Sequence, residues 1–80
     1  MAAVTIPDAL LELSKGQREL NIVAENYRVL LTELEKCFPG MASALENMAV
    51  AIDGQIYQDA FLEPLQNSSE VFFMQRIEGG

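Results

Sequence analysis

The 80-residue sequence has no histidine, no tryptophan, a single cysteine and only five basic residues. Without histidine it lacks the commonest general base and the commonest metal ligand, and one cysteine can form neither an internal disulfide nor a cysteine metal cluster. These absences argue against a self-sufficient enzyme and against a metal site. Twelve acidic residues against the five basic ones leave a net charge of −7 and a pI near 4.2, which disfavours nucleic acid or an anionic membrane as partner. The longest apolar run is Met48 to Ile52, far short of the ~18 residues needed to span a bilayer, and no basic stretch leads into an apolar one at the N-terminus. The expectation is a cytoplasmic protein, monomeric when free.

What is present is the composition of a folding chain, 50% apolar and 21% charged within 8.9 kDa, enough for one domain with a small core. Residues Ala3 to Ile6 alternate, burying Val4 and Ile6 on one face and turning Ala3 and Thr5 to the other. Pro7 ends that strand. After an elaborated loop, Lys15-Gly16 turns the chain into a second strand near Arg18 to Val23, so residues 2 to 23 form a hairpin. Tyr27, Leu30, Leu31, Leu34 and Phe38 recur at helical spacing and predict a helix from Tyr27 to Phe38, with Asn26 as N-cap and Pro39-Gly40 as terminator. Met41 to Glu46 supply one more short turn.

Met48, Val50 and Ile52 alternate with Ala49 and Ala51 in a third strand, and Asp53-Gly54 turns it toward a short fourth strand at Ile56 and Tyr57. Asn67-Ser68-Ser69 is a turn before a last strand, Glu70 to Ile77, with Val71 and Phe73 on one face and Phe72, Met74 and Arg76 on the other. This order predicts an α+β fold, one mixed sheet of four to five strands with a single main helix packed on one face. Residues 1–77 would form the domain and Glu78, Gly79 and Gly80 a flexible tail.

A sheet covered on one face leaves the other open. Ala3, Thr5, Ala49, Ala51, Phe72 and Met74 fall there, small residues beside large apolar ones, which suits a docking surface as well as a face packed under loops or a second copy. Between Lys36 and Arg76 there is no basic residue, whereas Glu46, Asp53, Asp59, Glu63 and Glu70 lie in that stretch; this half serves solubility or steers the molecule onto a basic groove. Cys37, at the end of the apolar helix stripe, reads as a small buried hydrophobe. The terminal Gly79-Gly80 pair has no Cβ, so it can extend through a narrow channel and present an unhindered carboxylate.

The stretch Ser69-Glu70-Val71-Phe72-Phe73-Met74-Gln75-Arg76-Ile77-Glu78-Gly79-Gly80 resembles the end of the MoaD/ThiS family of ubiquitin-like, β-grasp sulfur carriers. Val4-Thr5-Ile6-Pro7 with Ala9-Leu10, the turn at Gly16, the helix ending Phe38-Pro39-Gly40 and Pro64-Leu65 extend the resemblance over the chain, and Ile6-Pro7-x-Ala9-Leu10 is nearest the cysteine-biosynthesis branch. Asn67-Ser68-Ser69 and Gln75-Arg76 depart from the family pattern without touching the di-glycine. The resemblance implies a carrier, not an enzyme, that binds no cofactor tightly. An E1-like adenylating partner would use ATP and Mg to activate the Gly80 carboxylate, with Gly79 and Glu78 completing the tail. A sulfur donor would convert it to a thiocarboxylate, and an acceptor enzyme resembling cysteine synthase, the molybdopterin synthase large subunit or thiazole synthase would take the sulfur. Phe72, Met74, Arg76, Ala49 and Ala51 would then contact partners. Two other roles for the same chain are a modifier conjugated to lysines through Gly80 and an interaction module whose di-glycine is incidental.

Overall fold

The computed structural model describes residues 1–58, 60 and 62–75. The N-terminal alternation forms β1 (Ala2–Thr5), which pairs antiparallel with β2 (Glu19–Ile22) in the register Val4 opposite Leu20. The loop between them is built: a 3-10 turn at Asp8–Leu10 is followed by buried Ser14, whose hydroxyl donates to the Leu11 and Gln17 carbonyls. An Arg18–Asp8 ion pair of 2.6 Å spans its base on the surface.

Helix α1 runs Tyr27–Cys37. Its start follows the sequence signal: the Asn26 side chain accepts from Val29 N–H at 2.9 Å, satisfying one of the donors that every helix N-terminus leaves open. Beyond Pro39-Gly40, a short α2 (Met41–Leu45) begins at Gly40, whose φ of 96° only glycine adopts without strain. Sequence reasoning missed the cap of this second helix. The Glu35 carboxylate, one turn from the end of α1, accepts from Gly40 N–H at 2.9 Å and Ala42 N–H at 3.0 Å. These two donors, Gly40 first, hold its pKa below the ordinary 4.5.

Strand β3 (Met48–Ile52) turns at Asp53-Gly54 into β4 (Gln55–Tyr57). Both turn residues have positive φ, 51° and 85°, the backbone a two-residue hairpin of this twist requires. The chain then crosses over, held to the helix start by Tyr27 N–H to the Glu63 carbonyl and Leu65 N–H to the Glu25 carbonyl, both 2.9 Å. It ends in β5 (Glu70–Gln75); the part of the predicted strand at 76–77 and the tail at 78–80 lie outside the described residues.

The sheet order is β2-β1-β5-β3-β4, with β1 and β5 parallel and the other pairs antiparallel. Five strands and one main helix make the α+β architecture that the element order implies. The core is the layer between them: Tyr27, Leu30, Leu31, Leu34 and Phe38 cluster with Val4, Ile6, Val50, Ile52, Val71 and Phe73. The Tyr27 and Phe73 rings meet tilted at 46° with centroids 6.3 Å apart, and burial pushes the Tyr27 phenol above its ordinary pKa. Cys37 differs from expectation: it is exposed. It falls on the flank of the stripe in the last turn, where Phe38 takes the inward position.

Candidate docking face of the sheet

Register places the open-face residues in rows across the strands. Thr5 lies opposite Phe72 and Glu19, Phe72 opposite Ala51, and Ala51 opposite Ile56. One row therefore reads Glu19, Thr5, Phe72, Ala51, Ile56 from edge to edge, and Met74 stands opposite Ala49 beside it. Phe72 is 45% exposed and Ile56 56%. A phenylalanine and an isoleucine left in water on one sheet face form an apolar patch that a protein surface can desolvate.

Two residues expected as contacts are not accessible. Ala49 is 1% exposed and Ala51 9%. Ala51 sits between the larger side chains of Phe72 and Ile56, and Ala49 faces Met74, so their methyl groups form the floor of the face while the neighbours form its surface. Ile56 was not singled out from the sequence as part of this patch. Its signal was available in the alternation of Ile56 with Gln55 and Tyr57, but its facing depended on the β3–β4 register set by the Asp53-Gly54 turn.

The patch borders acid. A hollow of about 290 Å³ on this face is lined by Ala3, Thr5 and Phe72 with Glu19 and Glu70 among them, so a partner meets an aromatic side chain flanked by carboxylates. Glu46, Asp53 and Glu70 are exposed and Glu63 half-buried, whereas Asp59 and Arg76 lie outside the described residues, as do Glu78, Gly79 and Gly80.

The start of β5 is fixed by a second feature that sequence reasoning did not find. Asp53 accepts from Glu70 N–H through Oδ1 and from the Ser69 hydroxyl through Oδ2, both at 2.9 Å, and its own N–H donates to the Glu70 carbonyl. Ser69 is buried and its Oγ accepts from Gln66 N–H at 2.8 Å. One turn aspartate thus locks the strand that carries Phe72 and Met74 to the β3–β4 hairpin.

Among the described residues no three His, Cys, Asp or Glu side chains come together as a metal site, and no helix is long and apolar enough to cross a membrane. No family model and no curated protein matches the sequence. Solved structures do match the fold. A chain of the Amycolatopsis orientalis BexX/CysO complex superposes with a TM-score of 0.87 at 12% identity, over 100% of both chains. The crystal structure of Mycobacterium tuberculosis CysO, described as an antigen, superposes with a TM-score of 0.86 at 12% identity over 96% of this chain and 100% of that one. The architecture is therefore the ubiquitin-like β-grasp fold, shared with the CysO structures.

Proposed function

We propose that this protein is a sulfur carrier of the CysO type, a substrate of partner enzymes and not itself an enzyme. The observation that carries the reading is the superposition with the CysO structures over 96–100% of the chain, taken with the Gly79-Gly80 pair that follows β5 in the sequence after three intervening residues. The apolar, acid-bordered face supports it, because a carrier needs a surface on which successive partners can dock.

The chemistry needs only the Gly80 carboxylate. A carboxylate is a poor electrophile until its oxygen becomes a good leaving group. Attack of that oxygen on the α-phosphorus of ATP, with Mg in the activating enzyme, expels pyrophosphate and leaves an acyl-adenylate; sulfur from a donor then displaces AMP to give the thiocarboxylate. The absence of Cβ atoms at positions 79 and 80 lets the tail thread a narrow channel to the nucleotide. An acceptor enzyme then takes the sulfur. One CysO neighbour is found in complex with BexX, which supports delivery by direct association, and the cysteine-biosynthesis branch is the acceptor pathway we favour.

The test is the intact mass after incubation with an E1-like activating enzyme, ATP, Mg and a sulfur donor. A shift equal to exchange of one oxygen for sulfur is expected, lost on deletion of Gly80, strongly reduced by Gly79→Val, and kept in Cys37→Ser. A shift that follows Cys37 overturns the reading, and higher-mass conjugates in the protein's own cells would identify a lysine modifier instead.

A further inference from the structure

The sheet ends at β2, and the β1–β2 register decides which backbone groups of that strand are satisfied. Ile6 N–H donates to the Arg18 carbonyl at 2.6 Å, and Leu20 and Ile22 stand in the same alternate positions opposite Val4 and Ala2. Hydrogen-bonded pairs alternate along an antiparallel ladder, so Arg18, Leu20 and Ile22 turn their backbone groups toward β1. Ala3, at the intervening position, donates to the Ser69 carbonyl on the far side instead. Glu19 and Asn21 therefore aim their N–H and C=O groups outward, and among the described residues no strand lies beyond them.

Beside this edge runs a groove of about 370 Å³ between β2 and α1, lined by Asn21, Ile22, Val23, Glu33, Lys36 and Cys37. Val23 is 72% exposed, an aliphatic side chain standing in water next to unpaired backbone. The charges beside the groove pair off, Lys36 with Glu33 at 3.3 Å and Arg18 with Asp8, while Glu19, on the edge strand itself, makes no ion pair with another described residue in a chain of net charge −7.

We propose that the β2 edge and this groove receive an extended segment of a partner protein, with aliphatic residues followed by Lys or Arg, which adds to the sheet as a sixth strand. Outward N–H and C=O groups in strand geometry, hydrated in the free protein, are a template for another extended backbone; the groove takes its aliphatic side chains, and Glu19 together with the net charge of −7 favours its cations. A second copy of this chain is the poorer occupant, since each copy carries −7 and brings Glu19 to the contact. The surface is the sheet edge with the groove beside it; the Glu19 and Asn21 side chains also line the hollow next to Phe72, and the proposal stands whether or not Gly80 carries sulfur.

The full chain, labelled with ¹⁵N, is titrated with a synthetic peptide of about ten residues alternating Val and Lys, and separately with one alternating Val and Glu. Amide exchange at Glu19 and Asn21 should slow by about tenfold with the Val-Lys peptide. The opposite edge at Gln55–Tyr57 should be unchanged, and the Val-Glu peptide should have no effect. Val23→Asp, on an exposed side chain, should weaken the Val-Lys peptide by about tenfold while its amide spectrum remains that of the folded protein. Charge reversal at Glu19→Lys should weaken the Val-Lys peptide and remove its advantage over the Val-Glu peptide. The proposal is overturned by no protection at Glu19 and Asn21, by equal protection with both peptides or at both edges, by perturbation confined to Phe72 and Met74, or by a dimer that protects the edge without peptide.

Discussion

At the scale of single residues, the informative side chains are those whose partners are distant in sequence. Glu35 is a surface glutamate by any reading of the helix pattern, yet its carboxylate caps the next helix through Gly40 and Ala42 N–H. Both bonds are stronger to the carboxylate than to the neutral acid, Gly40 first, which is why its pKa is lowered. A carboxyl group whose folded pKa is depressed contributes stability that is fully present above its unfolded pKa and is lost as pH falls through the folded value. Thermal midpoints of wild type and Glu35→Gln should therefore differ at neutral pH and converge as pH drops below about 4.5. A gap of constant size down to the acid limit would show that the charge of Glu35 does not matter to the cap. Asp53 belongs to the same class: a turn aspartate by composition, it is also the acceptor that fixes the start of β5.

At the scale of elements, the two faces of the sheet predict opposite outcomes for substitutions of similar size. Leu34 is fully buried between α1 and the sheet, so Leu34→Ala should leave a cavity costing about 2–5 kcal/mol, a large share of what so small a domain holds, and should lower the thermal midpoint steeply. Phe72 projects from the open face, so Phe72→Asp should cost only about 1 kcal/mol, mostly strand preference, while, on the proposed function, weakening association with an activating enzyme. Equal destabilisation by both would mean that the open face is packed, and normal association of the Phe72 variant would remove it from the docking surface. The elements themselves were legible because their signals are local: the stripe of α1, its Asn26 cap, the alternation in β1, β3 and β5, and the Asp53-Gly54 turn. What was not legible came from neighbours across strands. Ala49 and Ala51 were correctly faced, yet whether an alanine is reachable depends on the bulk opposite it, and Met74, Phe72 and Ile56 are set there by register. Cys37 failed differently: the stripe already held Phe38 as the inward residue of the last turn, and the neighbouring Cys37 therefore falls on the exposed flank.

At the scale of the whole molecule, the β-grasp order puts β5 in the centre of the sheet between β1 and β3, so the strand leading toward the di-glycine is held on both sides. Its outward residues carry the exposed apolar patch, and acid borders that patch: Glu19 and Glu70 line the Phe72 hollow, and exposed Asp53 bonds the start of the same strand. With a net charge of −7, the molecule projects a field of one sign toward whatever approaches this face. Such a field speeds encounter with a basic groove and acts mainly on the association rate, whereas the desolvated apolar contact sets the lifetime of the complex. Exposed charges are screened beyond a Debye length of ~8 Å at physiological ionic strength and ~3 Å at 1 M salt. Stopped-flow association with the activating enzyme that the proposed cycle requires should therefore slow by about tenfold or more as salt rises from low ionic strength toward 1 M, with dissociation nearly constant. In Glu70→Gln the salt dependence should be shallower, because one of the charges nearest Phe72 is gone. An association rate indifferent to salt would assign the acidic surface to solubility, and a salt effect confined to dissociation would place the carboxylates in direct contact with the partner.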